Sequence, residues 1–237
     1  MNTAITSGLT AVAMDNRALF RLMTWLSPSY PVGAFAYSHG IEWAVETGWV
    51  TDAYTLEGWI EDLLRHGGGW SDSVLFCQAY DQADDLQALI SLNDLALALA
   101  ASKERYLETT AQGTAFLKIT RDAWSWPGDE ALRETFDETV AYPLAVAAAA
   151  AGHRIAKEAA MQAYLHGFVA NLISAGVRLI PLGQTAGQRV LAALEATGQA
   201  VQERAIAASL DDLGGATLRS DIASMQHETQ YTRLFRT

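Results

Sequence analysis

Cysteine is nearly absent. Cys77 is the only one in 237 residues, so no internal disulfide framework can form, and the composition fits a reducing compartment. The alternating, β-branched and aromatic runs that mark strands are also missing. No window holds the roughly 20 uninterrupted apolar residues of a membrane span. The nearest approach, in the 160s and 170s, is broken by polar side chains. The first fourteen residues have neither the basic start nor the long apolar run of a signal peptide. Basic residues are few, 16 against 27 acidic, for a net charge of −11. Phosphate binding needs a basic footprint, so this balance argues against nucleic acid and mildly favours a cationic partner protein. These absences lead us to expect a cytoplasmic protein with neither membrane nor nucleic acid as its partner.

Recognisable catalytic and nucleotide-binding motifs are missing too. There is no phosphate-cradling loop of the G-x-x-x-x-G-K-[ST] type and no G-x-G-x-x-G. Gly67-Gly68-Gly69 runs into Trp70 with no lysine and reads as a helix stop. His39 and Glu42 lie one helical turn apart, as do Asp62 and His66, but neither pair completes a metal-ligand set. We therefore expect no bound metal and no cofactor, short of a weak site shared with another chain. Cys77 sits in the apolar run Val74-Leu75-Phe76, the setting of an inert core thiol, and no nucleophile elbow occurs. The carboxylate pairs Asp84-Asp85 and Asp211-Asp212 stand at helix starts, where the helix dipole favours them. The chain does not read as an enzyme. An all-α enzyme using His39 and Glu42, or the glutamines near the Pro181 break, on a small substrate stays open as an alternative.

Half the residues are hydrophobic, enough for a full core at this length. The organising stretch is Ala159–Ala196. From Met161 to Ile180 it is apolar on nearly every turn, as expected of a helix buried in the middle of a domain. Pro181 ends it, Leu182-Gly183 turns the chain, and a second helical run begins at Gln184. Arg178, Gln184 and Gln188 cluster at the break, which is either a polar structural knot or a contact site. Elsewhere helical spacing recurs behind candidate caps at Asp15 or Asn16, Thr51 or Asp52, Ser71 or Asp72, Asp84 and Ser102. Pro127-Gly128 and Tyr142-Pro143 separate further helices. The expected fold is one all-α domain of about ten helices packed around the central one. Residues 1–14 are expected to be a disordered leader, 15–228 the helical domain and 229–237 a tail that binds a partner.

Two stretches concentrate polar and aromatic groups. In the loop SPSYPVGAFAYSHGIEW, Tyr30, Pro31, Gly33, Phe35 and Tyr37 surround a stiff Pro-Val-Gly turn and lead to His39 and Glu42. In the tail, His227, Glu228 and Tyr231 precede Arg233, Phe235 and Arg236. Aromatics and arginines are the commonest interface anchors, and a terminal segment of this kind often orders on binding. The loop is either such a contact or a core-lining connection; the tail either meets a partner or docks on its own domain.

Four motifs in order resemble the urease accessory protein UreF family. They are Ser27-Pro28 through Pro31-Val32-Gly33-Ala34-Phe35 to Gly40-Ile41-Glu42; Lys103-Glu104-Arg105 to Gln112-Gly113; Pro181-Leu182-Gly183-Gln184-Thr185 with Gly187-Gln188; and His227-Glu228-Thr229-Gln230-Tyr231 with Arg233-Leu234-Phe235-Arg236. Their order and spacing cover almost the entire chain from Asp15 to Thr237. The chain ends in threonine where the family usually has serine, and the leader has no counterpart. The resemblance implies an all-helical, non-enzymatic chaperone of urease maturation. Such a protein dimerises and bridges the UreD (UreH) accessory protein and the nickel-carrying GTPase UreG. It couples GTP hydrolysis to nickel delivery into apo-urease. By position it implies roles in partner binding for Arg178, Gln184, Gln188, Arg233 and the tail from Gln226 to Arg236. Tyr164 and the face around Pro181 are implied in the homodimer contact. A helical regulatory protein unrelated to nickel stays open as the other alternative.

Overall fold

The computed structural model describes residues 15–136 and 139–236. The expected leader, 1–14, lies outside the described residues. Twelve α-helices and two short 3-10 turns, with no strand, make up one all-α domain among the described residues. The helices are α1 (Asn16–Trp25), α2 (Ile41–Glu46), α3 (Ala53–His66), α4 (Gly68–Asp81), α5 (Leu86–Ala98) and α6 (Lys103–Ala123). They continue with α7 (Asp129–Thr135), α8 (Tyr142–Gly152), α9 (Lys157–Leu179), α10 (Gln184–Ala193), α11 (Glu195–Ile206) and α12 (Leu218–His227). The 3-10 turns are Ala34–Ala36 and Leu210–Asp212.

Three of the expected caps are made by hydrogen bonding. Asp15 accepts from the Arg17 amide, Asp52 forms a reciprocal box with Thr55, and Ser102 accepts from the Arg105 amide. Each satisfies a donor that the first turn leaves open. Asp85 rather than Asp84 caps α5.

Helix α9 is the hub. It packs against α1, α2, α3, α4, α8, α10, α11 and the Ala34–Ala36 turn, which is why its sequence is apolar on so many sides. Helix α8 is equally enclosed, buried from Pro143 to Ala150 between α4, α6 and α9. Its alanines keep the surrounding helices close. Gly113 on α6 serves the same crossing, since a Cβ there would stand 2.1 Å from the Val140 carbonyl oxygen.

Gly67–Gly69 differs from expectation. Only Gly67 interrupts the chain, and Gly68 and Gly69 begin α4, so neither Ser71 nor Asp72 is a cap. The glycines belong where α3 folds back onto α4: a Cβ on Gly69 would lie 2.9 Å from the Leu64 Cα. Helix α1 buries only Ala18, Leu22 and Trp25, and leaves Leu19, Phe20 and Met23 exposed.

Candidate functional site

The loop after α1, the C-terminal end of α9 and the chain's tail meet on one face. Pro181 stops α9, so Arg178 stands in its last turn with its guanidinium free of the helix ladder. Nε donates to the Ser174 carbonyl at 3.2 Å and Nη2 to the Phe35 carbonyl at 2.8 Å. The planar group lies between two rings, 3.6 Å from the Phe35 centroid and 4.1 Å from that of Phe235. Arginine suits this place because its flat, delocalised cation stacks on aromatic faces. Phe235 is thereby buried, with 4% of its surface exposed, whereas Phe35 stays mostly open. The Arg236 amide donates to the Ala36 carbonyl at 2.8 Å, and its side chain hydrogen-bonds the buried Tyr37.

Beneath this face a buried imidazole links three elements. His227, fully enclosed at the end of α12, places Nδ1 2.8 Å from Glu104 Oε2 on α6 and Nε2 3.1 Å from Glu42 Oε2 on α2. Glu42 also accepts the Leu234 amide at 2.6 Å and the Phe235 amide at 2.9 Å. Arg233 Nη1 donates to Glu104 Oε1 at 3.2 Å. Gly40 makes the approach of α12 possible: its φ is +77°, and a Cβ there would stand 2.6 Å from the Ser224 nitrogen. Burial pushes the Glu104 carboxyl up, with His227 and Arg233 pulling against it.

A second polar cluster lies deeper, beyond the Ser38-His39-Gly40 turn. His39, at a positive φ of 53°, points Nε2 at Glu108 Oε1, 2.7 Å away. Glu108 also takes Arg105 Nη1 at 2.5 Å and Gln112 Nε2 at 3.1 Å. Burial alone would raise Glu108, but Arg105 and His39 outweigh it and hold the carboxyl down to about 2. Burial, with Arg105 adding to it, lowers His39, and Glu108 pulls the other way. Asp72 is pushed up to about 6 by burial and accepts the Tyr164 hydroxyl at 2.8 Å. Two cavities of about 160 and 190 Å³ adjoin this cluster and share His39, Asp72, Arg105 and Thr109 as lining. No group of three or more His, Cys, Asp or Glu placed to hold a metal ion occurs among the described residues.

The UreF family profile matches residues 50–195, more than half of the chain. Urease accessory protein UreF of Rhodopseudomonas palustris (strain HaA2) is 54% identical over 226 residues, covering 94% of this chain and 95% of that one. Urease accessory protein UreF of Bradyrhizobium sp. (strain BTAi1) is also 54% identical, covering 94% and 93%. That of Bradyrhizobium diazoefficiens is 50% identical, covering 94% and 93%. The chain belongs to the UreF family.

Within this UreF-family chain, the candidate residues separate by exposure. Pro31, Gly33, Phe35, Gln184, Gln188, Tyr231, Arg233 and Arg236 are exposed, and Arg178 and Glu228 are half-buried. Tyr30, Tyr37, His39, Glu42, His227 and Phe235 are buried, so their side chains act on the domain itself rather than on a partner. Tyr164 is likewise buried, against Asp72 and between Phe76 and Tyr142. Gln188 lines a broad groove between α1, α9, α10 and α11. The sequence offered Asp72 only as a candidate cap and Glu104 and Arg105 only within a family motif, and it did not single out Glu108. The available signal was Glu104, Glu108 and Gln112 at four-residue intervals, one polar stripe on a helix.

Proposed function

We propose that this protein is a non-enzymatic scaffold in the maturation of urease, bridging a UreD-type accessory protein and a UreG-type GTPase. In this reading it couples GTP hydrolysis to nickel delivery into apo-urease. Membership of the family supports the role in urease maturation. The observation that carries the bridging reading is the composite face. Exposed Phe35 and half-buried Arg178 join the docked tail, which presents Tyr231, Arg233, Leu234 and Arg236 outward. Beside the tail, α12 exposes Leu218, Ile222 and Met225 at helical spacing, an apolar stripe that nothing in the chain covers among the described residues. An aromatic–arginine centre next to an apolar stripe is the composition of interface hot spots.

The homodimer belongs to a different face. The groove between α1, α9, α10 and α11 encloses about 910 Å³ and is lined by Leu19, Met23, Val169 and Leu191. Gln162 also lines it, with a shielded Oε1 that has no hydrogen-bond partner among the described residues. A second copy laid across it would cover the exposed side of α1.

The bridging reading is tested by capture of purified UreD-type and UreG-type partners with Arg178→Ala and Arg233→Ala. Weakened capture of either partner with an unchanged helical spectrum supports it. Undiminished capture of both by both variants rejects it.

A further inference from the structure

Helix α6 leaves one side open to solvent, and over three turns that side has no charge. The helix packs against α8, α7 and α12, and its Glu104, Glu108 and Gln112 are buried. What remains open between Lys103 and Lys118 is Tyr106, Leu107, Thr110, Ala111 and Thr114. Tyr106 is 39% exposed and Leu107 49%. The solvent side of a helix ordinarily collects charged groups. Their absence here, in a chain of net charge −11, is not explained by packing within the domain.

The spacing fits one kind of occupant. Leu107, Thr110 and Thr114 recur at steps of three and four, with Tyr106 and Ala111 on either side. That is the seam along which a second helix packs at a shallow angle. Lys103 and Lys118, about 22 Å apart along the helix, stand at its two ends. They are two of the chain's three lysines. The third, Lys157, pairs with Asp81, whereas neither of these has a carboxylate partner among the described residues. The seam therefore suits a helix with acidic side chains near both ends.

The seam also begins where the tail lies. Arg233 reaches Glu104 in the first turn of α6 at 3.2 Å, and Glu228 accepts the Lys103 amide at 3.0 Å. Helix α12, with its exposed apolar stripe, is joined to the start of α6 through Ser224 Oγ and Ser102 Oγ, 2.6 Å apart. The groove assigned to the homodimer contains no residue of α6. Continuity with the tail face thus favours a different protein over a second copy.

We propose that the uncharged side of α6 is a docking strip for a helix of the partner that covers the tail. That helix turns apolar side chains to Tyr106 and Leu107 and meets Lys103 and Lys118 with carboxylates. The strip rests on the bridging reading, because its occupant is the partner held by Arg233.

The test is equilibrium binding of purified UreD-type and UreG-type partners to the full-length protein. Leu107→Glu and Leu107→Lys place good helix formers at an exposed position. Each is expected to raise the Kd of the partner that needs Arg233 by about tenfold or more, the scale of one lost apolar side chain. The helical spectrum and the amide protection of the tail stay unchanged. Lys103→Glu combined with Lys118→Glu slows association of that partner and weakens its dependence on salt. Binding that ignores the Leu107 variants but falls with Arg233→Ala overturns the strip and leaves the bridging reading standing. Binding that ignores all of them removes both. A loss with Leu107→Glu but not with Leu107→Lys marks a purely electrostatic contact and overturns the helix seam. Weakened self-association with partner binding intact gives the strip to a second copy and overturns the proposal as well. Ala111→Glu, exposed on the same side, decides if the Leu107 variants do not fold.

Discussion

Phe235→Ala tests whether the tail is a built part of the domain. Phe235 is the one buried side chain of the last six described residues, enclosed under the Arg178 guanidinium. Burying a phenylalanine is worth about 1.5–3 kcal/mol, and the stacked cation adds about 0.5–2 kcal/mol. Loss of about 3 kcal/mol corresponds to roughly a hundredfold change in the docking equilibrium. The amides that report it are Leu234 and Phe235, held by Glu42, and Arg236, held by the Ala36 carbonyl. Their exchange in the free protein is expected to accelerate by about two orders of magnitude on that estimate, measured by hydrogen–deuterium exchange. Amides of α8 and α9 are expected to keep their protection, because no residue of the tail enters the packing of those helices except through Arg178. Unchanged tail protection would refute the anchoring role of Phe235. Parallel loosening of α8 would show that the tail belongs to the main core instead.

Three further outcomes follow from the same structure. Gly113→Ala forces a Cβ against the Val140 carbonyl. It is expected to cost about 1–3 kcal/mol, a fall of about 2–4 °C in Tm per kcal/mol for a chain of this size; an unchanged melting curve contradicts the close α6–α8 crossing. Asp72, raised to about 6 by burial, favours the folded state when protonated, and that contribution is lost as pH rises through about 6. Asp72→Asn should therefore flatten the dependence of stability on pH between about 4 and 6 in urea titrations, and an unaltered slope would show that Asp72 does not supply it. Met23→Asp, on the exposed side of α1, is expected to leave the helical spectrum intact and shift a dimer towards monomer in sedimentation. A dimer that withstands it moves the homodimer contact off this groove.

Local features of the chain were readable because local chemistry fixes them. Asp15, Asp52 and Ser102 cap the helices they precede, Pro181 ends α9, and the all-round apolar run of α9 becomes the hub. The polar interior was not readable for the opposite reason. Glu104 and Glu108 have the spacing of a solvated helix face, yet their partners His227, Arg233 and His39 arrive from distant elements. Asp72 looks like a cap and instead accepts a hydroxyl from Tyr164, 92 residues away. Tyr164, which the resemblance implied in the homodimer contact, has its side chain in that interior. The tail's composition marked it as a contact, but its burial divides it. Phe235 and His227 face inward, and Tyr231, Arg233 and Arg236 face outward.

The central claim is that this UreF-family chain serves urease maturation through the face built by its loop, Arg178 and tail. The direct measurement is the activity and nickel content of urease purified from cells lacking the gene, then from cells given back either the intact gene or one without Thr229 to Thr237. The account predicts inactive, nickel-poor urease that the intact gene restores and the shortened one does not. Active, nickel-replete urease in the cells lacking the gene would contradict it.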